Sequence, residues 1–220
     1  MNSLAIERVV KLFGARCLLD IGAVNFTAGS LHLIQGDNGV GKTTFLKMLA
    51  GLDKPALNDK LDFSCDGIAY PRGDYPDNLR RAIVYVHQHP YLFSTSVAAN
   101  IGYGLKLRKM PRGERDLAVQ AAIRWAGLEA VATVAPKRLS GGEKQRVALA
   151  RALVLKAPVM LIDEPTANLD AGARDQVKTL LESLRAEGRI VVIATHDPAL
   201  MGLAETSKWR LQDGKLLAAG

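Results

Sequence analysis

The run Gly36-Asp37-Asn38-Gly39-Val40-Gly41-Lys42-Thr43 constrains this chain more than any other segment. It satisfies the pattern G-x-x-x-x-G-K-[S/T]; a short apolar run, 31–35, precedes it. Residues 43–52 follow, with Phe45, Leu46, Leu49 and Ala50 at helical spacing before Gly51. A strand, a glycine-rich loop and a helix in that order point successive backbone N–H groups inward at a helix N-terminus, where phosphate oxygens are favoured. Lys42 then reaches the β- and γ-phosphates of a nucleotide, and the Thr43 hydroxyl ligates Mg2+. Gly36, Asn38, Gly39, Gly41, Lys42, Thr43 and Thr44 form the candidate nucleotide-binding set of this loop.

Such a loop needs carboxylates near it. The apolar run Val159, Met160, Leu161, Ile162 ends in Asp163-Glu164, and ligands of open α/β sheets bind at the C-terminal ends of strands. Asp163 is suited to hold hydrated Mg2+, and Glu164 to orient or deprotonate an attacking water. Strand character at 159–163 and 190–195 brackets a helical stretch at 171–187, a βαβ rhythm that predicts a parallel sheet. Further strands are expected at 4–10, 61–64 and 82–87, with a hairpin at 208–217 around Gln-Asp-Gly. From 96 to 155 the composition turns helical, with helices expected at 97–105, 113–126 and 141–155. The expected fold class is therefore α/β, with a parallel-sheet core, an N-terminal antiparallel β region and an inserted helical lobe.

The 220 residues, 48% of them hydrophobic, fit one domain with a substantial core. No run of 18 apolar residues appears and the N-terminus is charged where a signal peptide is apolar, so a cytoplasmic location is expected. Cys17 and Cys65 lack metal-ligand spacing. A net charge of +7 permits nucleic acid, anionic lipid or polyphosphate as partner, but aromatic residues are only 5% of the chain, poor material for a base-stacking surface.

A second glycine motif, Leu139-Ser140-Gly141-Gly142-Glu143, precedes Lys144-Gln145-Arg146 and a helical run. A serine before two glycines at a helix start serves equally as an ordinary N-cap or as a second phosphate cradle.

With LSGGE the chain resembles the ATP-binding cassette (ABC) family, and the resemblance extends over essentially its whole length. The family's markers follow in its order: the loop GDNGVGKT, Gln88 after a strand, the signature at 139–143, Asp163-Glu164, the turn Ala167-Asn168-Leu169-Asp170, and His196 after a strand. The resemblance implies a P-loop NTPase core forming a single nucleotide-binding domain over 1–220, with residues 89–157 as the helical insert. It implies ATP and Mg2+ as ligands and a head-to-tail dimer with a second ATP-binding subunit, most simply another copy of the chain. Ser140, Gly141 and Gly142 would contact the γ-phosphate of the partner's ATP, and Asp170 would line the dimer interface. It makes Glu164, His196 and Gln88 the catalytic candidates, with Gln88 sensing the attacking water and joining Thr43 and Asp163 at Mg2+. Phe13 stands where the family stacks an aromatic ring on adenine, although a core phenylalanine reads the same way. Asp37-Asn38 and Asn168 depart from the family's commoner residues without touching a group needed for hydrolysis.

One cassette with a compact stretch between Gly41 and Ser140 resembles transport subunits rather than DNA-repair or translation relatives. The run from Pro90 through Tyr91, Leu92 and Phe93 to Asn100 resembles import cassettes, those for tungstate or other oxyanions included. That implies integral-membrane permease subunits as partners, a substrate-binding protein indirectly, no direct nucleic acid, and a peripheral place on the cytoplasmic face of the inner membrane. Tyr91, Leu92 and Phe93 form either an exposed docking patch or part of a core. The chain stops at Gly220, soon after the expected hairpin, so no C-terminal sensor domain is expected. A non-transport ABC ATPase acting on nucleic acid or an assembly partner is the alternative.

Overall fold

A computed structural model describes residues 1–71, 74–167 and 169–219. Asn168, Gly220, Arg72 and Gly73 lie outside the described residues. Two units emerge. The first takes in Met1–Tyr85, Pro158–Glu164 and Lys178–Gly220, the second Val86–Ala157 and Pro165–Val177.

In the first unit, β1 (Ser3–Phe13) lies between β2 (Arg16–Ile21) and β5 (Lys60–Cys65), all antiparallel, while β3 (Val24–Thr27) pairs with the start of β1 and β6 (Ile68–Tyr70) edges β5. A second, six-stranded sheet runs in the order β11-β10-β4-β9-β8-β7, made from β4 (Ser30–Gln35), β7 (Ile83–Val86), β8 (Val159–Asp163), β9 (Ile190–Ala194), β10 (Thr206–Gln212) and β11 (Lys215–Ala219). β4 is parallel to both β9 and β10, and β8 is parallel to β9, while the terminal hairpin, β10 with β11, is antiparallel. Every residue of β8 and β9 is buried, as expected of central parallel strands covered on both faces. Helix α1 (Lys42–Leu49) buries Phe45, Leu46, Met48 and Leu49 in a core shared with Leu4, Val9 and Phe63 of the first sheet and Val159, Leu161 and Val192 of the second.

The fold class expected from the sequence is the one observed, and most strands fall within a residue or two of their expected bounds. The elements not anticipated are short or locally irregular: β2, β3 and β6, α2 (Asp77–Ala82) and α7 (Pro198–Met201). β1 also runs three residues further than expected, through Phe13, because its end pairs with β2.

The second unit contains α3 (Val97–Leu107), α4 (Arg112–Trp125) and α5 (Gly141–Leu153), packed around Ile101, Leu105, Ile123, Leu139, Val147 and Ala150. Helix α6 (Ala171–Ala186) starts in this unit and ends in the first. No helix among the described residues is long and apolar enough to cross a membrane.

One buried group makes the first unit sensitive to pH. His32 on β4 is buried, its Nε2 accepts from the Thr27 N–H at 3.2 Å, and Phe26 meets it edge-on. Burial pushes the imidazole below its ordinary 6.5, with the contact of Nε2 to the Thr27 carbonyl oxygen at 3.5 Å opposing. The unfolded chain therefore binds a proton that the folded chain refuses, so stability is full above 6.5 and is lost as pH falls below it. Urea unfolding at pH 7.5 and 5.5 should show a loss for the parent that exceeds that of His32→Gln by up to about 1.4 kcal/mol over the interval. Equal losses in the two proteins would remove His32 as the cause.

Candidate functional site

β4 ends at Gln35 and the chain turns through two glycines that no other residue replaces without strain. Gly36 has φ 155°, and a Cβ there would come within 2.5 Å of the Leu211 carbonyl oxygen. Gly41, at φ 114°, is the N-cap of α1, and a Cβ would meet the Leu19 side chain at 2.9 Å. The loop is thus pressed between β2 and β10 and opens on the α1 N-terminus. Lys42 folds back over it: Nζ donates to the carbonyl oxygens of Gly36 at 2.6 Å and Asp37 at 3.0 Å, and the side chain is largely buried. A cation held there by two neutral acceptors is poised to exchange them for an anion.

Next to this loop the central strands deliver the acidic pair. The Thr43 hydroxyl donates to Asp163 Oδ2 at 2.7 Å, linking α1 to the end of β8, and the Tyr85 hydroxyl donates to the same oxygen at 3.1 Å. Glu164 sits one residue beyond the strand at φ 48°, a left-handed conformation that costs a residue with a Cβ about 1–2 kcal/mol. Its N–H donates to the Ala194 carbonyl at 2.9 Å, which holds that turn against β9. The side chain is only 8% exposed, and Oε1 lies 2.7 Å from Nδ1 of His196, itself 72% exposed. With the carboxylate ionised, Nδ1–H is the donor. His196 also lines a depression of about 590 Å³ with Gln35, Gly36, Asp37, Thr195 and Arg210. The loop and carboxylates together can bind a polyphosphate and present a base to water.

Phe13, at the end of β1, is 59% exposed, which removes the core reading of that residue. It pairs with Arg16 on β2, the strand whose Leu18 and Leu19 press on Gly41. The Lys11 ammonium, held by Asp53 and Asp59 at 3.0 and 2.9 Å, lies 5.8 Å from its ring centroid, so a cation stands under an open aromatic face.

In the second unit Ser140 is the N-cap of α5 and makes a full capping box. Its Oγ accepts from the Glu143 N–H at 3.2 Å, while Glu143 Oε2 accepts from the Ser140 N–H at 2.7 Å. The Ser140 N–H, and after it the Ser140 side chain, hold the Glu143 carboxyl below its ordinary range. The Ser140 side chain is thus engaged with Glu143 as an ordinary N-cap, at the head of a helix whose N-terminus is open. Ser140, Gly141, Gly142, Glu143, Arg146 and Asp170 line one open depression of about 620 Å³. Asp170 Oδ1 caps α6 by accepting from the Ala173 N–H at 2.8 Å. Gln88 lies half-buried in the bend after β7.

Of the three residues read as either an exposed patch or part of a core, Tyr91 is exposed, at 76%, and the other two are half-buried. Leu92 packs against the helical core because its loop is pulled inward. Fully buried Asn100 donates to the Phe93 carbonyl and accepts the Phe93 N–H, pinning the loop to α3. Phe93 is half-buried between Tyr91 and Tyr103, centroids 5.9 and 4.4 Å away, with the Arg151 guanidinium 5.9 Å from its ring centroid.

Sequence reasoning missed Tyr85, Lys11 and Asn100. The signals were present, a phenol inside an aliphatic strand, a lysine inside a strand and an asparagine in an apolar helix, but their partners were not visible.

A parallel sheet whose strand feeds a glycine loop capped by a helix, with a carboxylate pair at the end of a nearby strand, is the architecture of a nucleoside-triphosphatase. A family profile described as ABC transporter matches residues 20–167, and the chain belongs to that family as an ATP-binding cassette, the ATPase that drives transport. It is 36% identical over 194 residues to the tungstate uptake system ATP-binding protein TupC of Peptoclostridium acidaminophilum, covering 88% of this chain and 86% of that protein. It is 35% identical over 201 residues to the Fe(3+) ions import ATP-binding protein FbpC of Escherichia coli K12, where the match takes in 89% of this chain but 55% of FbpC. Its fold superposes with TM-score 0.85 and 29% identity on a dimeric, post-hydrolysis structure of the ATP-binding cassette MJ0796 bound to ADP and Pi, over 97% of this chain and 96% of that one.

Proposed function

We propose that the chain powers a bacterial importer, binding ATP between two cassettes beneath integral-membrane permease subunits on the cytoplasmic face of the inner membrane. The observation that carries this is the pairing of a phosphate-binding loop and acidic strand end in one unit with the Ser140–Asp170 depression in the other. A second copy of the chain supplies the missing half of each site. Relatives that import tungstate and Fe(3+) are almost equally similar, which supports a motor that leaves cargo choice to the permease and its substrate-binding protein. Oxyanion import is the finer reading, resting on the tungstate relative's near-complete span. Residues 1–220 act as one nucleotide-binding domain in which the helical insert, 89–157, carries the signature and the Tyr91 surface.

In this reading the loop N–H groups and the α1 N-terminus hold the phosphates, and Lys42 trades its two carbonyl partners for phosphate oxygens. Phe13 stacks on adenine. Thr43 and Asp163, a hydroxyl and a carboxylate already in contact, are the hard oxygen donors that Mg2+ takes, and Gln88 joins them. Among the described residues no group of three His, Cys, Asp or Glu could hold a metal, which fits an ion that completes its shell with phosphate and water. Bound Mg2+ neutralises charge on the terminal phosphates. Glu164 accepts the proton of the attacking water, and His196 orients Glu164 and reaches the γ-phosphate. Ser140, Gly141 and Gly142 of each copy close on the other's γ-phosphate, and Asp170 lines that interface.

The test is assembly. With hydrolysis blocked, light scattering should find a monomer without nucleotide and a dimer with ATP, and Ser140→Arg should abolish the dimer by filling the depression. Purified from membranes, the parent should bring an integral-membrane protein with it. A dimer indifferent to ATP and to Ser140→Arg, or salt-sensitive nucleic-acid binding in place of a membrane partner, would overturn the proposal.

A further inference from the structure

The side chain of Asp163 receives hydrogen bonds from two hydroxyls on different elements. Among the described residues its donors are Thr43 and Tyr85, both on Oδ2. Thr43 is a candidate cation ligand, and ligation through an oxygen lone pair leaves its O–H able to stay on Asp163. Tyr85 is outside the candidate cation set and touches the carboxylate from the neighbouring strand. It projects from β7, the strand next to β8 in the sheet, so its backbone is fixed by the same sheet that fixes Asp163.

We propose that Tyr85 is a positioning residue for the cation site: its hydroxyl holds the Asp163 carboxylate in one orientation and leaves Oδ1 to face the incoming ion. This rests on the assignment of Asp163 as a cation ligand made above. The phenol is a dependable donor, because an ordinary tyrosine is protonated at neutral pH and its O–H already points at Oδ2 at 3.1 Å. A carboxylate that is buried and bonded to a fixed donor loses little orientational freedom when it binds a metal. One held by the Thr43 hydroxyl alone has a single tether and more orientational freedom to lose. The position also matters for signalling within the chain: Gln88 follows three residues later, so the strand that senses Asp163 through Tyr85 leads directly into the segment carrying the other candidate cation ligand.

Tyr85→Phe removes one oxygen and leaves the ring in place. Titrating a fluorescent ATP analogue in EDTA and then across a Mg2+ series separates phosphate-loop binding from cation binding. Affinity in EDTA and the thermal midpoint should match the parent, while the Mg2+ concentration giving half the cation-dependent gain should rise roughly tenfold, the usual effect of losing a partner that orients a metal ligand. A general packing defect would instead lower the EDTA affinity and the midpoint together, and that result would overturn the assignment, as would an unchanged Mg2+ half-saturation beside a responsive parent. If the parent itself shows no response to Mg2+, the cation site falls, and Tyr85's role with it.

Discussion

Glu164→Gln is expected to lower ATP turnover by about 10²–10⁴-fold while leaving ATP binding in place, the range commonly carried by a general base. Several features of the structure make this a clean substitution. The Glu164 backbone is held by its N–H bond to Ala194 and by a left-handed turn that glutamine tolerates no worse than glutamate. The glutamine oxygen can still accept from His196 Nδ1, now 2.7 Å from Glu164 Oε1, so the histidine keeps its orientation. What disappears is the capacity to take a proton, because an amide is not basic at neutral pH. Phosphate release at saturating ATP, measured beside nucleotide affinity, decides the matter. Turnover within twofold of the parent would reject Glu164 as the base. A matching fall in affinity would show that the carboxylate shapes the binding site rather than the chemical step.

Lys42→Ala should act at the earlier stage and weaken ATP binding itself by roughly 100-fold, since hydrogen bonds to a charged group are each worth about 1.5–3 kcal/mol and Lys42 makes two at its present position. In the structure those bonds go to the Gly36 and Asp37 carbonyls, so the loop is partly preorganised by the cation that later meets the phosphates. Removing it takes away the charge and loosens the loop at once. Titration of a fluorescent nucleotide, with the thermal midpoint measured in parallel, tests this. An affinity within threefold of the parent would mean that the loop N–H groups and the α1 N-terminus hold the phosphates without help.

The phosphate loop, the strand ending in Asp163-Glu164 and the capped start of α5 were legible in the sequence because each is local. Gly36 and Gly41 are dictated by backbone angles within the loop, the apolar run of β8 by burial on both faces, and the Ser140–Glu143 box by residues three apart. The short strands β2, β3 and β6 were not legible. With only three to six residues each, they have too little periodicity to stand above chance and exist because β1 and β5 offer them hydrogen-bonding edges.

By itself, then, the sequence determined the chemistry available to this protein: an ATP-binding cassette whose phosphate loop, acidic pair, signature and terminal histidine occur in one order. Tertiary structure alone decided which of those groups meet. Thr43 and Asp163 are 120 residues apart in the chain and bonded in the fold; Lys11 finds Asp53 and Asp59, and Tyr85 finds Asp163. It also separated Tyr91 from Leu92, leaving one in solvent and drawing the other into the helical core through Asn100. The physical reason is common to these cases. Local propensity acts over a few residues and can be read along the chain, whereas a side chain's partner is set by which strands and helices the core brings side by side, and sequence spacing carries no record of that distance.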